Sequence, residues 1–164
     1  MKTLYLVRHA KSSWDYPELT DFDRPLNKRG KRDAPDMGRR LKSRGIKPDL
    51  MLSSPANRAL TTCQIIADAI GYNEHKIETD KQIFHATANT LLKVLNQVDD
   101  QNDSAMLFGH NPGFTDFANE LVDTDIYNIP TCGVFACTFP LDSWSYVNWS
   151  SGSLLFYDYP KNKK

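Results

Sequence analysis

The sequence has no net charge, few cysteines and no long hydrophobic run. Its 164 residues include 20 Lys and Arg against 20 Asp and Glu, so the formal net charge is zero. A balanced chain produces no overall field that would attract nucleic acid or a membrane surface, and we expect neither as a partner. A binding site for an anion must therefore be built locally, from a few side chains.

The small number of cysteines and the absence of a long apolar run indicate the cellular compartment of the protein. The N-terminal apolar run, residues 3–7, ends at a charged residue and is too short for the core of a signal peptide or for a membrane span. The three cysteines, Cys63, Cys132 and Cys137, form no Cys-x-x-Cys pair, so we expect them to be reduced and packed. These features together predict a cytoplasmic location.

Several catalytic signatures are also absent. No arginine lies six residues after a cysteine, which disfavours the Cys-x5-Arg mechanism of tyrosine phosphatases, and neither a glycine-rich dinucleotide fingerprint nor a Walker loop occurs. Asp21 and Asp23 superficially match the Asp-x-Asp of haloacid-dehalogenase-type phosphatases. That motif should directly follow an apolar strand, whereas the segment 17–20 precedes it here. We expect these acids instead to fix their loop through salt bridges and turn capping.

Strand and helix patterns alternate along the whole chain, which is long enough for one domain, residues 1–164. Strands are predicted at residues 3–7, 49–53, 76–79, 104–108, 134–139 and 153–159. Helices are predicted at residues 28–44, 55–70, 87–98 and 112–122. This alternation predicts a single three-layer α/β/α domain with a mostly parallel central sheet, whose final strands can run antiparallel.

Helix boundaries are marked by capping residues. Asn27 is a predicted N-cap for the first helix, inside which Pro35 predicts a kink or a late start. Ser54 and Pro55 are predicted as the N-cap and first residue of the second helix. The first helix is basic, and we interpret its cationic residues as a solvated face, with docking of an acidic phosphoprotein as the alternative: Lys28, Arg29, Lys31, Arg32, Arg39 and Arg40.

Three polar motifs follow predicted strands. In open α/β sheets, ligands bind beyond the carboxyl ends of the strands, and two of the motifs also precede helices, whose N-terminal amides favour anions. Two arginines and two histidines would thus converge on one pocket suited to a phosphoryl group. The motifs are Arg8-His9, Ser53-Ser54-Pro55 with Arg58, and Gly109-His110-Asn111-Pro112.

These motifs carry a resemblance to a known family. The segments 6–10, 53–62 and 109–112 resemble, in order, the three signatures of the histidine phosphatase (phosphoglycerate-mutase-like) superfamily. The first signature usually has glycine where this chain has Ala10. That difference and the short chain resemble the small phosphohistidine phosphatases of the SixA-like branch. The resemblance implies a phosphoglycerate-mutase-like fold.

The resemblance also implies roles for individual residues. His9 would attack phosphorus and form a phosphohistidine intermediate, which water then hydrolyses. Arg8 and Arg58 would hold the phosphoryl oxygens, His110 would donate to them, and Ser12 is a further candidate for phosphate binding. Nearby guanidinium groups should lower the pKa of His9 and favour its neutral form. This scheme needs neither a metal nor a cofactor.

The general acid is where the sequence departs from the larger members of the family. Those members carry a carboxylate after the third strand, whereas this chain reads Ile83-Phe84-His85-Ala86-Thr87, and His85 is our candidate acid. An imidazole leaving group, with a ring pKa of ~6.5, is easier to expel than an alkoxide, whose conjugate acid is nearer the ~15.7 of water. The missing carboxylate therefore favours a phosphohistidine substrate over a phosphate ester.

The predicted function is metal-independent hydrolysis of phosphohistidine in proteins. The alternatives are a phosphomonoesterase acting on small phosphorylated molecules, a mutase of the same superfamily, and a module that binds phosphate without turnover. The partner would be a phosphorylated protein or a small phosphorylated substrate. Phosphate release without re-phosphorylation of the product would separate a phosphatase from a mutase, and tight phosphate binding without release would favour the binding module.

Overall fold

Six strands and four helices alternate in the computed structural model, which describes residues 1–162. The strands are β1 (Lys2–Arg8), β2 (Leu50–Ser53), β3 (Glu78–Thr79), β4 (Ser104–Gly109), β5 (Val134–Phe139) and β6 (Ser153–Asp158). The helices are α1 (Lys28–Ser43), α2 (Asn57–Ile70), α3 (Ala88–Asn96) and α4 (Gly113–Val122). Short 3-10 turns join several of these elements.

All six strands belong to one sheet, in the order β3-β2-β4-β1-β5-β6. The first four pair in parallel, while β5 runs antiparallel to both β1 and β6. The sheet is therefore mostly parallel, with its antiparallel pairs at the end formed by the last two strands. This arrangement confirms the predicted fold class.

Each face of the sheet is covered by two helices. Alternate residues of β1 point to opposite faces, so Leu4 and Leu6 pack with α3 and α4, whereas Tyr5 and Val7 pack with α1 and α2. The helices contribute apolar stripes at helical spacing to these two clusters. The three-layer prediction is confirmed, and the carboxyl edge of the parallel strands stays open for a site.

The predicted helix and strand boundaries agree with the structure within two residues, but the capping residues predicted for α2 were wrong. The helix begins at Asn57, and its N-cap, Ala56, makes no side-chain cap bond. The Ser54 hydroxyl, predicted as the cap, accepts from the Ala56 N–H at 3.2 Å and lies 2.8 Å from His110 Nε2. Ser54 is therefore engaged at the carboxyl edge of the sheet, and the helix starts two residues later than predicted.

Two other boundaries depend on local caps and turns. Asn27 caps α1 as predicted, accepting from the Gly30 N–H at 2.9 Å. The late start considered for α1 was wrong because the helix begins at Lys28 and continues through Pro35. The third strand is shorter than predicted, since residues 74–76 form a 3-10 turn before β3 begins.

The basic face of α1 is only partly solvated. Arg39 has an exposed side chain with one ion pair, to Asp36 at 3.7 Å. The Arg40 side chain, in contrast, is only 25% exposed and is held by the segment that follows β6. Its guanidinium donates to the carboxylates of Asp36 and Asp158 and to the backbone carbonyls of Tyr159, Pro160 and Asn162. The interpretation of this set as a solvated face was wrong for Arg40, which ties the C-terminal segment to α1.

Among residues 1–162, no helix combines the length and the apolar character needed to cross a bilayer.

Replacement of Arg40 by alanine should destabilise the fold, because three half-buried carbonyls and two carboxylates each lose a charged donor. We expect a loss of about 1–3 kcal/mol in the free energy of unfolding, measured by urea denaturation. Arg39→Ala is the matched control and should change stability by less than about 0.5 kcal/mol. Equal effects of the two substitutions would contradict the proposed anchoring role of Arg40.

Candidate active site

The register of the sheet brings the three polar motifs together. In the parallel ladder Arg8 lies opposite Gly109, and Ser53 lies opposite Phe108, at the carboxyl ends of their strands. The backbone pairing continues one residue further, since the His9 N–H donates to the Gly109 carbonyl at 3.0 Å. Because β2, β4 and β1 are neighbours, all three motifs emerge side by side at one edge.

A buried threonine ties the first motif to the second. The Thr62 hydroxyl donates to the Arg58 carbonyl at 2.7 Å and accepts from the Ala10 N–H at 3.0 Å. Gly30 of α1 also approaches this region so closely that a Cβ there would overlap the Lys11 carbonyl oxygen. The backbone after His9 is therefore fixed between α1 and α2.

His9 is buried and neutral. Its Nδ1 lies 2.7 Å from the Ala10 carbonyl, which can only accept, so the ring proton is on Nδ1 and Nε2 keeps its lone pair. Burial lowers the pKa of His9 to about 3, helped by the positive charges of Arg58 and Arg8 and opposed by the bond to Ala10. The nitrogen that faces away from Ala10 is thus available as a nucleophile at neutral pH.

Two guanidinium groups lie near this ring, that of Arg58 buried and that of Arg8 half-buried. Arg8 Nη1 donates to the Ile129 carbonyl at 2.8 Å, and Arg58 donates from Nη1 and Nη2 to the Asp21 carbonyl and carboxylate at 2.6 and 3.1 Å. The Nε atoms of both arginines are buried and have no partner within residues 1–162. Burial lowers the pKa of both groups, and the charge of Arg58 lowers that of Arg8 further. Buried N–H donors without a partner favour the binding of an anion beside them.

His110 lies beside His9, with their ring centroids 5.3 Å apart. Its Nε2 is 2.8 Å from the Ser54 hydroxyl, and its buried Nδ1 has no partner in the described chain. Burial lowers the pKa of His110 to about 3, and its proximity to His9 and the charge of Arg58 lower it further. The site therefore contains two neutral imidazoles between two cations.

His85 lies at the rim of this site. Its side chain is 64% exposed, and its ring centroid is 6.3 Å from that of His110. Its Nε2 is 3.3 Å from a carboxylate oxygen of Asp21, and its ring packs on Phe84. The backbone of His85 has a φ of +56°, which histidine adopts uncommonly. This position leaves the ring facing solvent and Asp21 at once.

Ser12 is buried beside the site, but its hydroxyl is already engaged. It accepts from Arg24 Nη1 at 2.8 Å, which leaves its own hydrogen available to donate. Direct phosphate binding by Ser12 therefore stays a prediction.

Sequence reasoning missed two residues of the site, Asp21 and Arg24. Arg24 is buried, and its charge contributes to the lowered pKa of His9. Burial raises the pKa of Asp21, but its bonds to Arg58 and Arg24 outweigh this and hold the pKa below its usual range. The salt bridges expected for this loop exist, yet their place at the site was not foreseen. The only sequence signal for them was that Arg24 follows Asp21 by three residues, a spacing that suits an ion pair across a turn.

Comparisons with known proteins agree with this geometry. A sequence model of the histidine phosphatase superfamily (branch 1) matches residues 4–83. The chain is 32% identical over 159 residues to the uncharacterized protein At3g52155, chloroplastic, of Arabidopsis thaliana, covering 92% of this chain and 72% of that protein. It is 39% identical over 86 residues to the 2,3-bisphosphoglycerate-dependent phosphoglycerate mutase of Mesorhizobium japonicum. That match covers 50% of this chain and 41% of the mutase, so the chain spans less than half of the mutase's length.

A solved structure extends the likeness to nearly the whole chain. A proposed phosphohistidine phosphatase SixA from Agrobacterium tumefaciens superposes with a TM-score of 0.82 at 28% identity, covering 97% of this chain and 98% of that one. This agreement confirms the predicted phosphoglycerate-mutase-like fold. The chain therefore belongs to the histidine phosphatase superfamily, in its SixA-like branch, and is a phosphatase.

Proposed function

We propose that this phosphatase hydrolyses phosphohistidine in proteins through a phosphorylated intermediate on His9. The observation that carries the proposal is the neutral His9 ring, with Nδ1 bonded to Ala10 and Nε2 available. Two guanidinium groups and a second imidazole surround it, and several of their donors have no partner in the described chain. This is the arrangement that an in-line attack on phosphorus needs.

The reaction proceeds in two displacements. His9 Nε2 attacks phosphorus, and the bond from phosphorus to the imidazole nitrogen of the substrate breaks as the new nitrogen–phosphorus bond forms. The departing imidazole takes a proton from water or from an acid at the rim. Water then attacks the phosphoryl group on His9, which releases inorganic phosphate and restores the neutral ring.

Charge on the transferred phosphoryl group is stabilised by groups already in place. Arg8 is held by Ile129 and Arg58 by Asp21, so neither side chain has to reorganise when the substrate enters. His110 supplies a further donor, oriented through Ser54. Preorganised donors in a buried site are usually the largest contribution to catalysis of this kind.

His85 is the proposed acid for leaving groups that need one. Asp21 holds the ring at the rim, where it can reach a leaving group without entering the phosphoryl cage, the space lined by Arg8, His9, Arg58 and His110. A phosphohistidine substrate depends little on such an acid, because its imidazole leaves readily. The exposed position of His85 thus fits a phosphatase whose preferred substrate is a phosphoramidate.

The name of the SixA neighbour supports a phosphohistidine substrate, and the mutase relatives support activity on phosphate esters. A cytoplasmic location also remains our proposal. It rests on Cys63, Cys132 and Cys137, which are buried and form no disulfide within the described residues, as suits a reducing compartment.

The substrate class can be tested by phosphate release from a phosphohistidine protein and a phosphoserine peptide, without added metal. We expect release from phosphohistidine, and His9→Ala should lower it by a factor on the order of 10³ or more because the nucleophile is lost. Release from both substrates would keep the mechanism and remove the preference. Tight phosphate binding without any release would favour the non-catalytic module instead.

Loss of His85 should affect the two leaving groups unequally. If His85 protonates the leaving group, His85→Ala should lower kcat for a phosphoserine ester by about 10²-fold but for phosphohistidine by less than about tenfold. His75→Ala, in an exposed 3-10 turn, is the control and should change neither rate. Unchanged hydrolysis of both substrates by His85→Ala would show that another group is the acid.

The protonation state of His9 can be measured by NMR titration of its ring. We expect the ring to remain neutral at pH 5 and to titrate near its folded pKa of about 3. In the unfolded chain the ring binds a proton near pH ~6.5, so stability is lost as pH falls through this window. The urea midpoint should therefore fall less between pH 6.5 and pH 4 in His9→Ala than in wild type. A midpoint of ring titration near the ordinary histidine value would contradict the buried, neutral nucleophile.

A further inference from the structure

A continuous exposed segment lies at the entrance of the site. Residues 14–23, here named the mouth loop, are all exposed, whereas Ser12, Ser13 and Arg24 on either side are buried. Nine large apolar side chains are exposed within residues 1–162, and four of them lie in these ten residues. They are Trp14, Tyr16, Leu19 and Phe22. Such clustering differs from the scattered exposed apolar residues that are normal on a protein surface.

The mouth loop is fastened to the catalytic site. Asp21 accepts from Arg58, and the Asn57 amide donates to the Asp23 carbonyl at 3.1 Å. The Phe22 ring packs edge-on against Phe84, with centroids 5.3 Å apart. Phe84 in turn packs against His110. The exposed apolar residues are therefore held beside the phosphoryl cage.

The mouth loop is also acidic, although the chain as a whole is neutral. Asp15, Glu18 and Asp23 are exposed, and none of them pairs with a cation in the part of the chain that the structure describes. A carboxylate rim repels a small free phosphate compound and attracts a cationic surface. The rim therefore suits a phosphoryl group that arrives on a larger, basic carrier.

We propose that the mouth loop docks the protein surface around the phosphohistidine, and that this surface combines apolar side chains with lysine or arginine. The inference rests on the proposed function and names the partner of the same site. The cage accommodates the phosphoryl group, whereas Trp14, Tyr16 and Leu19 lie outside it, where only a larger partner reaches them. Aromatic side chains dominate the energetics of protein interfaces, and opposite charges at the rim accelerate association.

The test compares two phosphohistidine peptides of equal length, one flanked by Lys and Leu and the other by Glu and Ser. Phosphoimidazole serves as a substrate without flanking residues that could contact Trp14, Tyr16 or Leu19. We expect kcat/KM for the Lys/Leu peptide to exceed that for the Glu/Ser peptide by about tenfold, a difference that decreases as salt is added.

Two variants should remove this preference. Tyr16→Ala removes an exposed aromatic ring and Glu18→Lys reverses a rim charge, and each should bring the two peptides within about threefold of one another while leaving phosphoimidazole hydrolysis unchanged. Tyr146→Ala is the matched control. Tyr146 is also exposed, at 70% against 49% for Tyr16, but it follows β5, which ends beside the start of β1 at the opposite edge of the sheet. Its loss should leave the preference intact.

Equal rates for the two peptides in wild type would overturn the inference, as would a preference for the Glu/Ser peptide. The latter would point to the arginine-lined groove of about 1130 Å³ between α1 and the C-terminal segment. Binding of fluorescently labelled peptides that carry a non-hydrolysable phosphohistidine analogue separates this failure from that of the proposed function. A Lys/Leu preference in Kd without turnover of any phosphoramidate would overturn only the proposed function.

Discussion

The parallel pairing of β1 with β4 positions both histidines of the site. Each strand is followed directly by its histidine, and the pairing of Arg8 with Gly109 leaves His9 and His110 with ring centroids 5.3 Å apart. A shift of the register by one residue would turn the alternating apolar residues of β1 to the wrong faces and separate the two rings. The two apolar clusters that flank the sheet therefore fix the geometry of the candidate site as firmly as they fix the fold.

This geometry places more donors than acceptors in a buried space. Arg8 Nε, Arg58 Nε and His110 Nδ1 have no partner within residues 1–162, and a buried unpaired polar group costs about 1–3 kcal/mol. The large core on both faces of the sheet offsets that cost. In the proposed reaction the phosphoryl group accepts hydrogen bonds from these donors, which favours binding of an oxyanion. The same burial keeps His9 neutral, and one environment therefore suits both the proposed nucleophile and the proposed phosphoryl cage.

The features that could be predicted from the sequence are those that follow the regular spacing of apolar residues in strands and helices. Apolar runs revealed the six strands, and polar residues directly after three of them revealed the two arginines and two histidines that the sheet brings together. Asp21 and Arg24 could not be found in this way, because they lie in a loop with no periodic pattern and reach the site through side-chain contacts across the fold. Ser54 was misread for a related reason. A serine before a proline is typical of a helix start, and only the tertiary structure shows its hydroxyl beside His110.

Two electrostatic environments of opposite sign meet at this site, and they act over different ranges. Arg58 is buried and Arg8 is half-buried, so salt screens them weakly and they act strongly on a phosphoryl group in contact with them. The carboxylates of the mouth loop are exposed, and salt screens them within about 8–10 Å. Asp21 is the point of contact between the two, since it accepts from Arg58 while belonging to the loop. A small free phosphate compound carries only negative charge. The arginines of the cage therefore attract it, whereas the carboxylates of the mouth loop repel it. In the proposed protein substrate the phosphoryl group lies on a cationic surface. The arginines of the cage then attract the phosphoryl group, while the carboxylates of the mouth loop attract the surface around it.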